Sequence, residues 1–486
     1  MGAPTAVHGS RLNLVVRSMN LWIGVGTCGS IGVAVLGTRM GAIPRPGDDR
    51  WWFHVPGGVS TPASLGFYAS VILLIAGWLG VGYHARAGRL TISRSWVILG
   101  LWGLPLLVGP PIFSRDIYSY IGQGLLAHHG LNPYSVPPSA LGKGPLLASI
   151  ASVWRDTASP YGPLFVTVSR AAASISGGSL VVQVLVFRLM ELLGVVMIMV
   201  SLPPLSRRLG TDPGLALWLG ALSPLALFSF IASGHNDALM VGLLLAGVTL
   251  ATEGRLAIGL ALCALAATIK LPAAAAIVFL AVDQFRAAGS RSSRRRIVLE
   301  AVAVPCLVIA GVTVAAGLGW TWLGPTALHV PTELRVLSTP SVSLGAFFHA
   351  VLHAVGIPVA LSATVTATQL VCGLLAVAGA VWLVCNAPRL DVVRVLGLAL
   401  ILIVVGSPTV WPWYLMWGLA ILAATAAQRS KVLAAVAGLA MLVVGPGGAP
   451  MLSGHAYFVI APLLLAACVW LFRDRHWRTV VMGHAA

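Results

Sequence analysis

Apolar residues run along this chain in blocks long enough to cross a bilayer, separated by short polar punctuation. Blocks of roughly 17–25 residues, the length a membrane helix needs, lie near 20–38, 64–83, 95–113, 180–200, 214–231, 237–253, 297–316, 357–384, 391–407, 412–427, 430–445 and 457–472. The stretch 255–286 reads as one long helix or as a hairpin of two short ones. Pro272, just after Lys270, removes a backbone donor and crowds the preceding turn. The segment 163–177 is weakly apolar and carries Arg170, so it does not read as a full crossing. Backbone groups in the bilayer core must bond within helices, because no water is there to meet them. The pattern therefore predicts an all-α polytopic membrane protein, a bundle of about 12–14 transmembrane helices forming a single domain over 1–486.

Composition agrees: 58% of residues are hydrophobic and only 9% charged, with a mean hydropathy of +0.92. The net charge of +17 does not point to nucleic acid, since basic residues collect on the cytoplasmic side of membrane spans and set their orientation. With both termini inside, 163–177 not crossing and 255–286 a hairpin, 20 of the 30 basic residues fall in cytoplasmic segments, the GSRSSRRR run among them. Three sizeable segments are then external: 39–62, 114–179 and 318–356. The first apolar block follows Arg11 and Arg17 and has no cleavage site behind it, so it reads as a retained span. The six cysteines lie in or beside apolar runs without metal-ligand spacing, which suits buried inert thiols better than a disulfide framework.

With only 13 acidic residues, each can be placed. Asp116 stands in FSRDIYSY, where a span meets the longest external segment. It reads as a helix N-cap or as a carboxylate facing a substrate, and the two are compatible. The amphipathic run 116–129 places Ile117, Ile121, Leu125 and Leu126 on one side, with Tyr120, Gln123 and His128 on the other. Beyond it come Asn132 and Tyr134 in NPY, then Trp154, Arg155 and Asp156, then SPYGPLF at 159–165, in a loop stiffened by prolines at 133, 137, 138, 160 and 163. Glu191 follows Arg188 by three residues inside a span, a spacing that lets them share a helix face as an ion pair. GHNDALM at 234–240 is either a turn with Asp237 as helix cap or a polar site between spans. Lys270 is a snorkelling cation or a phosphate ligand. Trp411, Trp413, Tyr414 and Trp417 in VWPWYLMW form an aromatic belt or the wall of a lipid groove. No metal-ligand spacing, phosphate-binding glycine loop, dinucleotide fingerprint or nucleophile elbow is present in the sequence.

FSRDIYSYIGQGLLAHHGLNPYSV, followed in order by SPYGPLF, GHNDALMVGL, ATIK and PWYLMW, resembles the actinobacterial polyprenol-phosphomannose-dependent α-(1→6)-mannopyranosyltransferases of the GT-C superfamily. The resemblance spans most of the chain. It implies a GT-C bundle whose catalytic carboxylate, here Asp116, lies in the external loop 114–179, to which the charge pattern adds 318–356 as a second external loop. It further implies mannose on a polyprenyl phosphate as donor and a lipid-anchored mannan as acceptor, joined with inversion in lipomannan-type envelope synthesis. The substrate-binding set that goes with it is Arg115, Tyr118, Tyr120, Gln123, Asn132, Tyr134, Arg155, Tyr161, His235, Asn236, Asp237, Lys270, Arg335, Trp413 and Tyr414. Lys270, Arg155 or Arg335 would meet the donor phosphate. No cofactor and no obligatory metal are expected, because a phosphomonoester leaving group carries less charge than a nucleotide diphosphate. The implied setting is the bacterial plasma membrane, with the site on the extracytoplasmic side and membrane lipid, not nucleic acid, as surroundings. A transporter or flippase of a polyprenyl-linked sugar is the rival reading. It would place its polar groups near the midplane of broken helices, not in external loops.

Overall fold

A computed structural model describes residues 18–44, 59–324, 339–425 and 445–448, with the side chains of 387–390 excepted. Every regular element among the described residues is helical. Five helices are long and apolar enough to cross a membrane: Met19–Met40, Thr61–Arg86, Leu180–Arg208, Arg291–Ala316 and Leu361–Asn386. Pro213–Gly220 and Pro224–Ala232, bent by 46°, make a sixth if they count as one span. Ile92–Val108, Pro163–Ile175, Asp237–Thr252, Leu256–Ala267, Val392–Gly406 and Pro412–Ala423 are apolar but shorter. The protein is thus a multi-pass helical membrane protein. The blocks expected at 430–445 and 457–472 lie almost wholly outside the described residues, as does Arg335.

The 255–286 stretch is broken where proline was expected to break it. Leu256–Ala267 ends, Lys270 is extended, a 3-10 turn runs Leu271–Ala274, and Ala275–Ala287 follows. Pro163–Ile175 has thirteen residues, about 20 Å at 1.5 Å per residue. It packs on Asp116–His128 and Arg291–Ala316, while Arg170 donates to the Ala316 carbonyl at 3.4 Å.

Small residues set the closest helix approaches, as they do where lipid offers no hydrophobic drive between helices. A Cβ on Gly29 would strike the backbone at Leu74, and one on Gly77 the backbone of Gly26, so Met19–Met40 and Thr61–Arg86 touch main chain to main chain. Gly194 and Gly242 do the same between Leu180–Arg208 and Asp237–Thr252. Trp78 and Trp218 stack with ring centres 4.9 Å apart, and each indole donates to the other's carbonyl, at 3.0 and 2.8 Å.

Two breaks in this bundle position the polar groups. After Ile92–Val108 the chain runs through Gly109, Pro110 and Pro111 to Phe113, whose φ of 67° is rare for a bulky side chain and costs of order 1–3 kcal/mol. The Phe113 amide is held by the Pro446 carbonyl at 2.7 Å. The second break is the π-helical turn Leu227–Ala232, which leads into Gly234–Asp237. Arg188 ties the two together, donating to the carbonyls of Leu107 (2.8 Å), Gly109, Pro110 (2.9 Å) and Ala232. Glu191 accepts the Leu239 amide at 3.1 Å. The one-helix pairing expected of Arg188 and Glu191 therefore gives way to contacts with the backbone of neighbouring segments, four carbonyls taking up the Arg188 guanidinium and one amide meeting Glu191.

Candidate active site

The site grows from the residue after the first break. Arg115 occupies the N-cap position of Asp116–His128 and Asp116 is the first helical residue, so Asp116 is not the cap. Its own amide is met by Ser114 Oγ at 3.1 Å, and its Oδ1 accepts the Trp154 indole N–H at 3.0 Å. From 111 to 124 every residue is buried except Asp116, whose side chain keeps 13% of its surface open. Burial pushes its carboxyl up to about 6, against the opposing pull of Lys270 and the Trp154 hydrogen bond. A carboxylate with a raised affinity for protons at an opening in a buried wall is suited to general-base work near neutral pH.

The second break faces it. His235 Nε2 lies 3.7 Å from Asp116 Oδ2, its Nδ1 meets the Ser229 carbonyl at 2.9 Å, and its ring stacks on Trp413 with centres 4.0 Å apart. Trp413 stacks in turn on Trp411 at 5.1 Å. Burial pulls the His235 imidazole down to about 4. Asn236 is fully buried and neither atom of its amide finds a partner among the described residues.

Asp237 does not cap its helix, whose N-cap is Asn236. Both its oxygens receive Lys270 Nζ at 2.8 Å, and Oδ1 also receives the Trp417 indole at 2.5 Å. Lys270 is thus neutralised and sits over the rings of Tyr414 (4.7 Å), Tyr161 (5.5 Å) and Trp417 (5.6 Å). Tyr120 packs edge-on to Tyr161 at 5.2 Å, and burial pushes both phenols well above their usual range. Gly162 lets this wall close: its amide binds the Ile269 carbonyl at 3.0 Å, and a Cβ there would collide with the Thr268 backbone.

The expected residues therefore divide. Asp116, Tyr120, Tyr161, His235, Asn236, Asp237, Lys270, Trp413 and Tyr414 belong to one cluster. The polar groups of Arg115, Tyr118, Gln123, Asn132 and Arg155 are engaged around it, and Arg335 lies outside the described residues. Arg115 donates to the carbonyls of Ile43 and Ser149, both at 3.1 Å, and Tyr118 to that of Ala42 at 2.6 Å. Arg155 spans the carbonyls of Ile150 and Ala148, each at 3.1 Å. Gln123 accepts from Ser159 at 2.9 Å, Asn132 reaches the Leu318 carbonyl at 3.1 Å, and Tyr134 packs with Val166 and Trp322. Trp154 and Trp417 were not among the expected site residues. Each donates to one of the two carboxylates, and only their aromatic character, shared with any interface residue, was visible in the sequence. Among the described residues no group of three His, Cys, Asp or Glu side chains is arranged to hold a metal ion.

Comparison with known proteins covers both halves of this cluster. Residues 23–286 match the family model "Alpha-(1->6)-mannopyranosyltransferase, N-terminal domain", and 341–473 match "MptB C-terminal domain". The first match contains Asp116 through Lys270, and the second contains Trp413 and Trp417. The chain is 33% identical over 434 residues to alpha-(1->6)-mannopyranosyltransferase A of Mycobacterium tuberculosis, covering 86% of this chain and 82% of that one. It is 31% identical to a probable alpha-(1->6)-mannopyranosyltransferase of Mycolicibacterium smegmatis, covering 93% and 88%. To alpha-(1->6)-mannopyranosyltransferase B of Corynebacterium glutamicum it is 27% identical, covering 83% and 72%. No solved structure matches the chain at a significant level.

Proposed function

Because the chain belongs to the α-(1→6)-mannopyranosyltransferase family, we propose that it transfers mannose from a polyprenyl-phosphate-mannose to a lipid-anchored mannan, with Asp116 as general base. The chain is an α-(1→6)-mannosyltransferase, and so takes a mannose donor and an acceptor. The observation that carries the finer reading is the placement of Asp116, an accessible carboxylate in an otherwise buried run, opposite the aromatic and Lys270 cluster.

A β-linked phosphomannose that yields an α-mannoside inverts in one displacement. As the acceptor oxygen approaches C1, its proton passes to Asp116, and the C1–O bond to phosphate breaks with the electron pair on the leaving group. Trp154 holds Asp116 Oδ1, leaving Oδ2 for the proton. Trp413 and Tyr414 offer flat apolar faces for sugar or prenyl. Lys270 has three N–H donors, and Asp237 engages it through two oxygens, so one donor remains for a phosphate oxygen. Arg335 is the further candidate for that charge. Placing Asp116 on the extracytoplasmic face of the bacterial plasma membrane is supported by the basic residues, 20 of 30 of which then collect inside.

Purified protein in lipid vesicles, given labelled polyprenyl phosphomannose and an α-(1→6)-mannobiose, is expected to form an α-(1→6)-linked trisaccharide, with or without chelator. Movement of the lipid-linked sugar across the vesicle without any glycoside product would overturn the reading.

A further inference from the structure

The mechanism above uses Asp116 but leaves a second titratable group idle beside it. His235 is 1% exposed, and its Nε2 is buried without a hydrogen-bond partner among the described residues. The ring cannot turn freely, because Trp413 covers one face at 4.0 Å and Nδ1 is held by the Ser229 carbonyl at 2.9 Å. A carbonyl oxygen only accepts, so Nδ1 carries the hydrogen. In the neutral ring Nε2 is then a bare lone pair, and it lies 3.7 Å from Asp116 Oδ2. Two acceptors face each other with nothing to share until one gains a proton.

We propose that His235 is a positioning residue for the base: its Nε2 lone pair accepts a hydrogen bond from Asp116 Oδ2 only once Asp116 has taken the acceptor's proton. This rests on Asp116 acting as base. The step balances as written: the acceptor O–H breaks, its oxygen bonds to mannose C1, and the phosphate leaves with the C1–O electron pair. The proton on Oδ2 is held toward Nε2 and returns to solvent as product departs. A contact that exists only in the protonated state strengthens along the reaction coordinate, so it lowers the barrier without tightening the ground state. Closing from 3.7 Å to hydrogen-bond range is the tightening expected of a site before substrate arrives. The burial that holds His235 near 4 and lifts Asp116 to about 6 keeps the ring neutral through neutral pH.

The other charged and titratable groups facing this pair leave the assignment intact. Asp237 and Lys270 form an ion pair, Tyr414 presents its ring to Lys270, Tyr120 and Tyr161 stay protonated, and Arg115 and Arg188 are engaged with carbonyls.

The test is the pH profile of kcat/KM in His235→Gln and His235→Phe, the latter keeping a ring on Trp413. Gln offers the carboxylate an N–H, and Phe removes the lone pair, so both favour the ionised Asp116. The acid limb is expected to move down by roughly half to one unit in each, while the plateau falls by roughly 10-fold. Should a variant lose activity, the protonated-carboxyl infrared band that Asp116→Asn abolishes reports the same shift directly. An unmoved midpoint in folded variants would leave His235 as packing and overturn the inference alone. Full activity in Asp116→Asn would overturn the base assignment beneath it.

Discussion

Replacing Lys270 by Met separates structural from substrate-binding roles. Asp237 is fully buried, and Lys270 Nζ sits 2.8 Å from both its oxygens. Met is close to Lys in length and apolar, so the aromatic faces of Tyr161, Tyr414 and Trp417 stay covered while the charge goes. Asp237 is left with the Trp417 N–H as its remaining side-chain donor. Breaking a buried pair from one side costs about 3–5 kcal/mol, because the other charge stays behind uncompensated. At about 1.4 kcal/mol per decade, that is a loss of roughly 10²-fold to several thousand-fold in the folding equilibrium. A second change, Asp237→Asn, removes the stranded charge, so the double variant should recover most of the lost stability while still lacking a donor for phosphate. The assay is a double-mutant cycle of unfolding in detergent, with donor affinity measured separately on each folded variant. Additive single effects, or a Lys270→Met protein that melts with the wild type, would refute the buried-pair reasoning and return Lys270 to a snorkelling or purely phosphate-binding role.

Trp154→Phe removes the N–H on Asp116 Oδ1, which favours the protonated acid, so the acid limb of kcat/KM should move up by roughly a unit, opposite in sign to the His235 variants; a pH profile decides it. Asp116 binds its proton more tightly folded (about 6) than its ordinary value of 3.8, so the stability it lends is greatest below pH 4 and is lost as pH rises through 6. Asp116→Asn keeps an acceptor for Trp154 and should be more stable than wild type above pH 6, by up to about 3 kcal/mol at 1.36 kcal/mol per unit; equal melting temperatures at pH 7.5 would contradict the raised carboxyl. Cysteines placed at the exposed positions Lys143 and Ser292 should be labelled by an impermeant reagent in intact cells at 143 only; labelling at 292 alone would invert the orientation.

Hydrophobic block length was legible wherever a long helix formed, as at Met19–Met40 and Thr61–Arg86. The break at 268–274 was legible because proline acts locally. Asp116 stood out because carboxylates are scarce in this chain and it follows a span. What the sequence did not show is what depends on distant partners. Asp237 and Lys270 are 33 residues apart, and Trp417 lies 180 residues from Asp237; no periodicity links them. Arg188 looked like half of a helical i, i+3 pair, since that spacing is visible, whereas carbonyls freed by helix breaks at 107–110 and 232 are not. Arg155 looked like a phosphate ligand, and Arg115 like a substrate contact, for the same reason: a sequence shows a cation but not the loop carbonyls that take up its donors.

The central claim is that Asp116 takes the acceptor's proton during transfer. Single-turnover transfer by Asp116→Asn, with the donor already bound and saturating acceptor, tests it without interference from folding or product release. Unchanged donor affinity with a transfer rate lower by roughly 10²–10⁴-fold is the predicted result; transfer within a few-fold of wild type would contradict it.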